Sequence, residues 1–282
     1  MDIQWYPGHM TKAKRKMMED RKLIDVVAEL LDARAPLACR NPDIGEIAAG
    51  KERVIVLNKA DLADPRANEA WKAYFEAEGA YFIALDSRAA SSRKALEGVI
   101  DRAGQKKRER DAKRGIKNRP VRVMVCGIPN VGNSTLINTL AGRASAKTGN
   151  KPGVTKGNQW IRLNKNIELL DTPGILWPKF DDEQIGLRLA FLGSVNDQIL
   201  ERVELACELA GFLDEKYPGT LREHYGDLCY DTIYGCIEEI ARVKKCLKTG
   251  GEPDTERAAA MLLDDFRSGR LGKITLETPQ EN

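Results

Sequence analysis

The chain has 282 residues, enough for about two domains of ordinary size, each able to bury a core. With 42% hydrophobic and 31% charged residues it is neither disordered nor fibrous, no apolar run nears the roughly 18 residues of a membrane helix, and residues 1–10 lack a signal peptide's apolar core. The net charge of +3 conceals an asymmetry, because residues 1–180 carry 33 basic and 21 acidic side chains while residues 181–282 carry 12 and 21.

In chain order, a basic amphipathic stretch at residues 11–22 precedes a series of apolar runs that read as buried strands, at 24–31, 53–57, 80–85, 121–126, 159–163 and 167–170. Helical patterns at 67–78, 92–102 and 134–141 alternate with them. Strand then helix, repeated, predicts an α/β fold with a mostly parallel sheet covered on both faces. Residues 106–119 form the one strong charge run, with eight basic and two acidic residues. Beyond about residue 181 the apolar positions recur at helical spacing, as in Ile185, Leu189, Leu192 and Val195, which predicts a separate all-α domain. The expected division is residues 1–178 and 179–282. The six cysteines form no CxxC or Cys/His cluster, so neither a zinc site nor a disulfide framework is expected.

Three short motifs lie at the ends of these strands, and a fourth lies between two of them. Asn58-Lys59-Ala60-Asp61 follows the run at 53–57, at the strand end where open α/β sheets bind ligands, and the Asp61 carboxylate suits the paired N1–H and N2–H2 donors of guanine. Residues 127–135, GIPNVGNST, follow the run at 121–126 and open a helix. That is the setting of a phosphate-binding loop, with backbone N–H groups turned toward phosphates and the Ser134 hydroxyl available to Mg2+. Asn133 stands where such loops carry the lysine that contacts the β and γ phosphates. Asp171-Thr172-Pro173-Gly174 follows the run at 167–170 and offers a carboxylate to the Mg2+ shell and the Gly174 N–H to a γ phosphate. Thr155, in KPGVT, offers a hydroxyl that completes the Mg2+ shell when GTP is bound. Each motif alone is an ordinary turn; together they describe a guanine nucleotide site.

Their order is unusual. Ras-like GTPases run from phosphate loop to switch threonine, DxxG and NKxD, whereas here NKAD comes first, so the chain reads as circularly permuted. All these loops leave one edge of a parallel sheet, and joining neighbouring termini preserves that edge.

With WYPGHM (residues 5–10), DARAP (32–36), NKAD, GIPNVG, KPGVT, DTPGILWPKF (171–180), GLRLA (186–190) and CLKTGG (246–251), the chain resembles, nearly end to end, the circularly permuted GTPases of bacterial ribosome assembly. The resemblance implies a circularly permuted Ras-like P-loop GTPase domain followed by a helical domain that contacts ribosomal RNA. It implies a cytoplasmic factor without a membrane partner, hydrolysing GTP to GDP and phosphate on precursors of the large ribosomal subunit. As GTP-binding residues it indicates Asn58, Lys59, Asp61, Asp86, Ser87, Asn130, Val131, Gly132, Asn133, Ser134, Thr135 and Gly174. Ser134, Thr155 and Asp171 are its Mg2+ residues, and Asn130 is a K+ ligand that lets K+ stimulate hydrolysis.

Ile175 occupies the place of the water-orienting glutamine of Ras-like enzymes, and an apolar side chain orients no water. The resemblance implies that His9 does so instead; by itself His9 also reads as a structural or RNA-contacting residue. A neutral Asn133 removes a charge-assisted contact worth about 1.5–3 kcal/mol, or about ten- to a hundredfold in binding, which predicts weakened nucleotide binding and more strongly impaired hydrolysis. A hydrolysis-impaired RNA-binding assembly protein is therefore the alternative expectation. Lys12, Lys14, Arg15, Lys16, the run at 106–119, and Arg242, Lys244, Lys245 and Lys248 are the basic groups available to RNA phosphates, against the plainer reading of solvated helix faces.

Overall fold

Seven consecutive buried residues, VVAELLD, make β1 (Val26–Asp32) a strand covered on both faces, as parallel sheets require. The computed structural model describes residues 8–141, 159–177, 180, 182–195 and 201–279, without the side chains of His9 and Gln159. Around β1 run β2 (Glu52–Asn58), β3 (Tyr81–Leu85), β4 (Val121–Gly127), β5 (Gln159–Asn164) and β6 (Ile167–Asp171), in the spatial order β3-β2-β1-β4-β6-β5. Every pairing is parallel except β5 with β6, which are joined by a short turn.

Register brings the strand ends together. Asp32 pairs with Asn58 and Asn58 with Leu85, while Leu30 pairs with Gly127 and Val125 with Asp171. The loops after β1, β2, β3, β4 and β6 therefore leave the same sheet edge. Helix α1 (Gly8–Asp20) precedes the first strand, and α2 (Pro42–Ala48), α3 (Pro65–Ala77), α4 (Ser91–Ala103), α5 (Gln105–Lys113) and α6 (Asn133–Ala141) lie in the connections between strands. The starts of α2 and α3 are written locally: Asn41 and Asp64 accept N–H bonds two residues on, and each is followed by a proline, whose missing N–H costs nothing at a first helical position. Under α1 and α2, Met17, Ile24, Val27, Ile44, Met124, Leu170 and Ile175 pack into one core.

The charge run at 106–119 differs from its expected role as an open basic patch. Lys107 is buried and donates to the carbonyls of Arg119 and Pro120, Lys106 pairs with Glu52, and Arg108 pairs with Asp101. A lysine stem and ammonium are used here to close a chain turn, while Arg110, Lys113, Arg114, Lys117 and Arg119 are exposed, as is the paired Lys106. At the N-terminal end Lys14 pairs with Asp43, and Lys16 with Asp20.

The chain forms two compact units, one comprising Met1–Ile185 and Thr275–Asn282, the other Gly186–Ile274. The expected division at 178/179 had one junction; the chain crosses twice, because the last described residues hydrogen-bond back into the loop after β1 (Leu276 N–H to Arg34 C=O, 2.7 Å). In the second unit α8 (Arg202–Lys216), α10 (Ile233–Val243) and α11 (Thr255–Ser268) bury Leu205, Leu209, Leu213, Ile237, Ile240, Leu262 and Phe266, with α9 (Thr220–Tyr225) beside them; α7 (Glu183–Phe191) spans the boundary. Among the described residues no helix is long and apolar enough to cross a membrane.

Candidate guanine nucleotide site

The strand-end edge is laced together by side chains of the sequence motifs. Asn58, fully buried, donates from Nδ2 to the Val131 carbonyl (2.6 Å) and accepts the Ser87 N–H on Oδ1 (2.9 Å), tying NKAD to the phosphate loop and to the loop after β3. Lys59 adopts a left-handed backbone (φ 57°), which aims its ammonium at the Asn130 carbonyl (2.7 Å) and the Asp32 carboxylate (2.8 Å). Asn130 is itself left-handed (φ 64°). Asp61 lies exposed beyond this lacing, where Arg88 bridges it (2.6 Å) and Asp86 (2.9 Å).

Two glycines are dictated by close approach. A Cβ on Gly132 (φ +104°) would lie 2.3 Å from Asn58 Nδ2, and one on Gly174 would lie 2.8 Å from the Pro129 nitrogen. The DTPG turn is thus pressed against the phosphate loop, an arrangement held by the Ile175 N–H to the Gly127 carbonyl and by Thr172 Oγ1 donating to the Val125 carbonyl (2.8 Å).

Two buried polar atoms in this edge have no hydrogen-bond partner among the described residues: Asp171 Oδ1 and Asn133 Oδ1. Leaving a buried acceptor unpaired costs about 1–3 kcal/mol; unpaired buried atoms also occur away from this edge, at Asn68 and Trp71, and it is their place beside the phosphate loop that makes Asp171 and Asn133 candidates for a ligand. Burial pushes the Asp171 carboxyl up to about 6, opposed by the Thr172 N–H alone. That is the signature of a carboxylate awaiting a cation, and the half-buried Ser134 at the start of α6 adds a hydroxyl. The donor set fits Mg2+, a hard ion commonly held by one or two carboxylates together with substrate phosphates; among the described residues there is no cluster of three or more His, Cys, Asp or Glu that would hold a metal by itself.

Of the expected site residues, Asn58, Lys59, Ser87, Asn130, Val131, Gly132, Asn133 and Gly174 converge on this edge, with Asp171, Ser134 and Thr135 beside them and Asp61 and Asp86 at its outer side. Thr155 and the His9 side chain lie outside the described residues. Ile175 has its side chain in the core, as an apolar replacement for a water-orienting group would. Reading the sequence missed Asp32, Arg34 and Arg88. Arg34 grips Asp32 through two bonds of 2.9 Å, and although burial raises the Asp32 carboxyl, Arg34 and then Lys59 outweigh it and hold it well below the usual carboxylate range. The DARAP motif carried that signal, a carboxylate two residues before an arginine at a strand end.

Loops for guanine, phosphate and Mg2+ on one edge of a Ras-like sheet, met in the order NKAD, phosphate loop, DTPG, define a circularly permuted GTPase. The sequence model described as 50S ribosome-binding GTPase matches residues 122–222, starting at the phosphate-loop strand and leaving NKAD outside, as permutation requires. The chain is 45% identical to ribosome biogenesis GTPase A of Bacillus cereus, covering all of this chain and 95% of that one, and 32% identical to the Thermotoga maritima protein of the same name, covering 99% and 95%. The crystal structure of GNP-bound YlqF from T. maritima is similar, with a TM-score of 0.68 at 29% identity over 95% of this chain and 99% of that one. This chain belongs to the ribosome biogenesis GTPase A family: it is a GTPase of ribosome biogenesis, of a class that normally uses Mg2+.

Proposed function

We propose that the chain is a cytoplasmic assembly factor that binds precursors of the large (50S) ribosomal subunit and their rRNA in its GTP state, hydrolyses GTP there, and leaves with GDP. The observation that carries this reading is the pairing of a fully laced base loop with two orphaned oxygens, Asp171 Oδ1 and Asn133 Oδ1, at the phosphate edge. Asp61 reads guanine; Asn58, Lys59, Asp86 and Ser87 hold the base loop; the N–H groups of residues 130–135 and of Gly174 bind phosphates. Asp171, Ser134 and Thr155 hold Mg2+. Asn130 takes a K+ ion whose charge serves the transition state, and His9 positions water, completed on the ribosomal particle. The rRNA contacts fall to Arg110, Lys113, Arg114, Lys117 and Arg119, and to Lys245 and Lys248 of the helical unit, all exposed.

A second reading rests on Asn133: a protein that binds nucleotide and RNA but hydrolyses poorly. Single-turnover hydrolysis with and without precursor subunits, in K+ and in Na+, separates the two. Turnover stimulated by particles and K+ supports the first, and its absence in every condition supports the second. The substitution Asn133→Lys should tighten GTP binding about ten- to a hundredfold and raise turnover further; no gain in either would overturn this account of the loop.

A further inference from the structure

The chain re-enters the nucleotide-binding unit at Thr275, and residues 275–277 are bonded into it one after another. Thr275 Oγ1 accepts the Asp64 N–H (3.0 Å) at the cap of α3, the Leu276 N–H donates to the Arg34 carbonyl (2.7 Å), and the Glu277 carboxylate accepts the N–H groups of Leu37 and Ala38. Glu277 is 1% exposed, an unusual place for a carboxylate unless its bonds are needed. The loop it holds, residues 33–39, continues directly from Asp32, whose carboxylate takes Lys59 and Arg34. Ala33 N–H closes the same loop onto the Asn58 carbonyl (2.8 Å). Lys59 in turn reaches the Asn130 carbonyl of the phosphate loop. An unbroken set of bonds thus runs from Glu277 through residues 33–39 and Asp32 to the guanine-reading motif.

We propose that Glu277 is a positioning residue of the guanine site: by holding the loop after β1 it keeps Asp32, and through it Lys59, in place, so that residues 275–277 set the rate at which guanine nucleotide is released. The helical unit, Gly186–Ile274, is joined by its own chain to this segment at one end and to the segment beyond DTPG at the other.

The inference rests on the guanine nucleotide reading above, and the experiment distinguishes their failures. Dissociation of fluorescent mant-GDP is followed in the full chain and in Glu277→Ala and Glu277→Gln, well below their melting temperatures. Glu277→Ala should release mant-GDP about fivefold faster or more, at the lower end of known couplings between sites. Glu277→Gln, whose amide oxygen still accepts both N–H groups, should restore most of the slow release. Combined with Asp32→Asn, Glu277→Ala should add less than its single effect, since both act through Lys59. A folded Glu277→Ala that releases at the unaltered rate, or one whose melting temperature falls with no change in release, would overturn the proposal. If Glu277→Ala does not fold, Thr275→Ala, which loses the Asp64 contact, takes its place and should still quicken release; an unchanged rate overturns it equally. Failure of the unaltered chain to bind mant-GDP would instead overturn the nucleotide reading itself.

Discussion

The two units treat buried polar groups in opposite ways. In the helical unit the buried Asp265 carboxylate on α11 is bonded by Tyr225, His224 and Arg270, and no unpaired buried side-chain atom occurs there among the described residues. In the nucleotide-binding unit, Asp171 and Asn133 are buried with oxygens unpaired. Saturated polar groups hold a fold together, whereas unsatisfied ones cost stability and persist where a ligand completes them. The same contrast occurs within the nucleotide-binding unit, where Asp32 is gripped by two cations and serves as scaffold, while Asp171, also at a strand end, has none.

The strongest way to break this comparison is Asp171→Asn. Mg2+-dependent hydrolysis should fall about a hundredfold or more, while the ligand-free protein becomes more stable. The sign follows from the raised carboxyl: between pH 3.8 and about 6 the folded state holds a proton that the unfolded chain has lost, so its stability falls as pH rises, by about 3 kcal/mol in all above pH 6. Asparagine removes that cost. Urea melts at neutral pH without Mg2+ check it, and a destabilised Asp171→Asn would sink the idea that this oxygen is spare.

Asp265→Asn should do the reverse, destabilising the protein by about 2 kcal/mol with no change in nucleotide affinity. Burial raises the Asp265 carboxyl, but bonds from Tyr225, Arg270 and His224 outweigh it and lower it overall. The contribution is therefore present above the unfolded value of 3.8 and is lost as pH falls through the folded one. Denaturant melts across acid pH should show the gap between Asp265→Asn and the unaltered chain closing as pH drops.

The smallest effect is expected at Arg88, whose exposed pairing with Asp61 competes with a guanine base for the same carboxylate. Such pairs are worth less than about 1 kcal/mol, so Arg88→Ala should tighten GDP binding by no more than about threefold. Titration of mant-GDP measures this, and a loss of affinity would show instead that Arg88 supports the base.

Much of the site could be read from residues because its chemistry is local. A glycine-rich turn after an apolar run, or an aspartate at a strand end, states both backbone geometry and ligand class within a few positions, and the permuted order follows from reading them along the chain. The helical unit was legible for a similar reason, since its apolar residues repeat at one spacing. The charge run at 106–119 was less legible: composition does not distinguish Lys107, buried against two carbonyls, from the exposed Lys113.

From the residues alone came the fold class, the strand-end placement of NKAD, the phosphate loop and DTPG, and the departure at Asn133, all carried by neighbours in sequence. Only the folded chain decided that Asp32 holds Lys59, that Arg88 bridges Asp61 and Asp86, and that Glu277 returns to cap the loop after β1. Most of these pairings join residues far apart along the chain and have no periodicity, and those of Asp32 and Glu277 exist because a buried charge or N–H finds a partner wherever the fold has brought one.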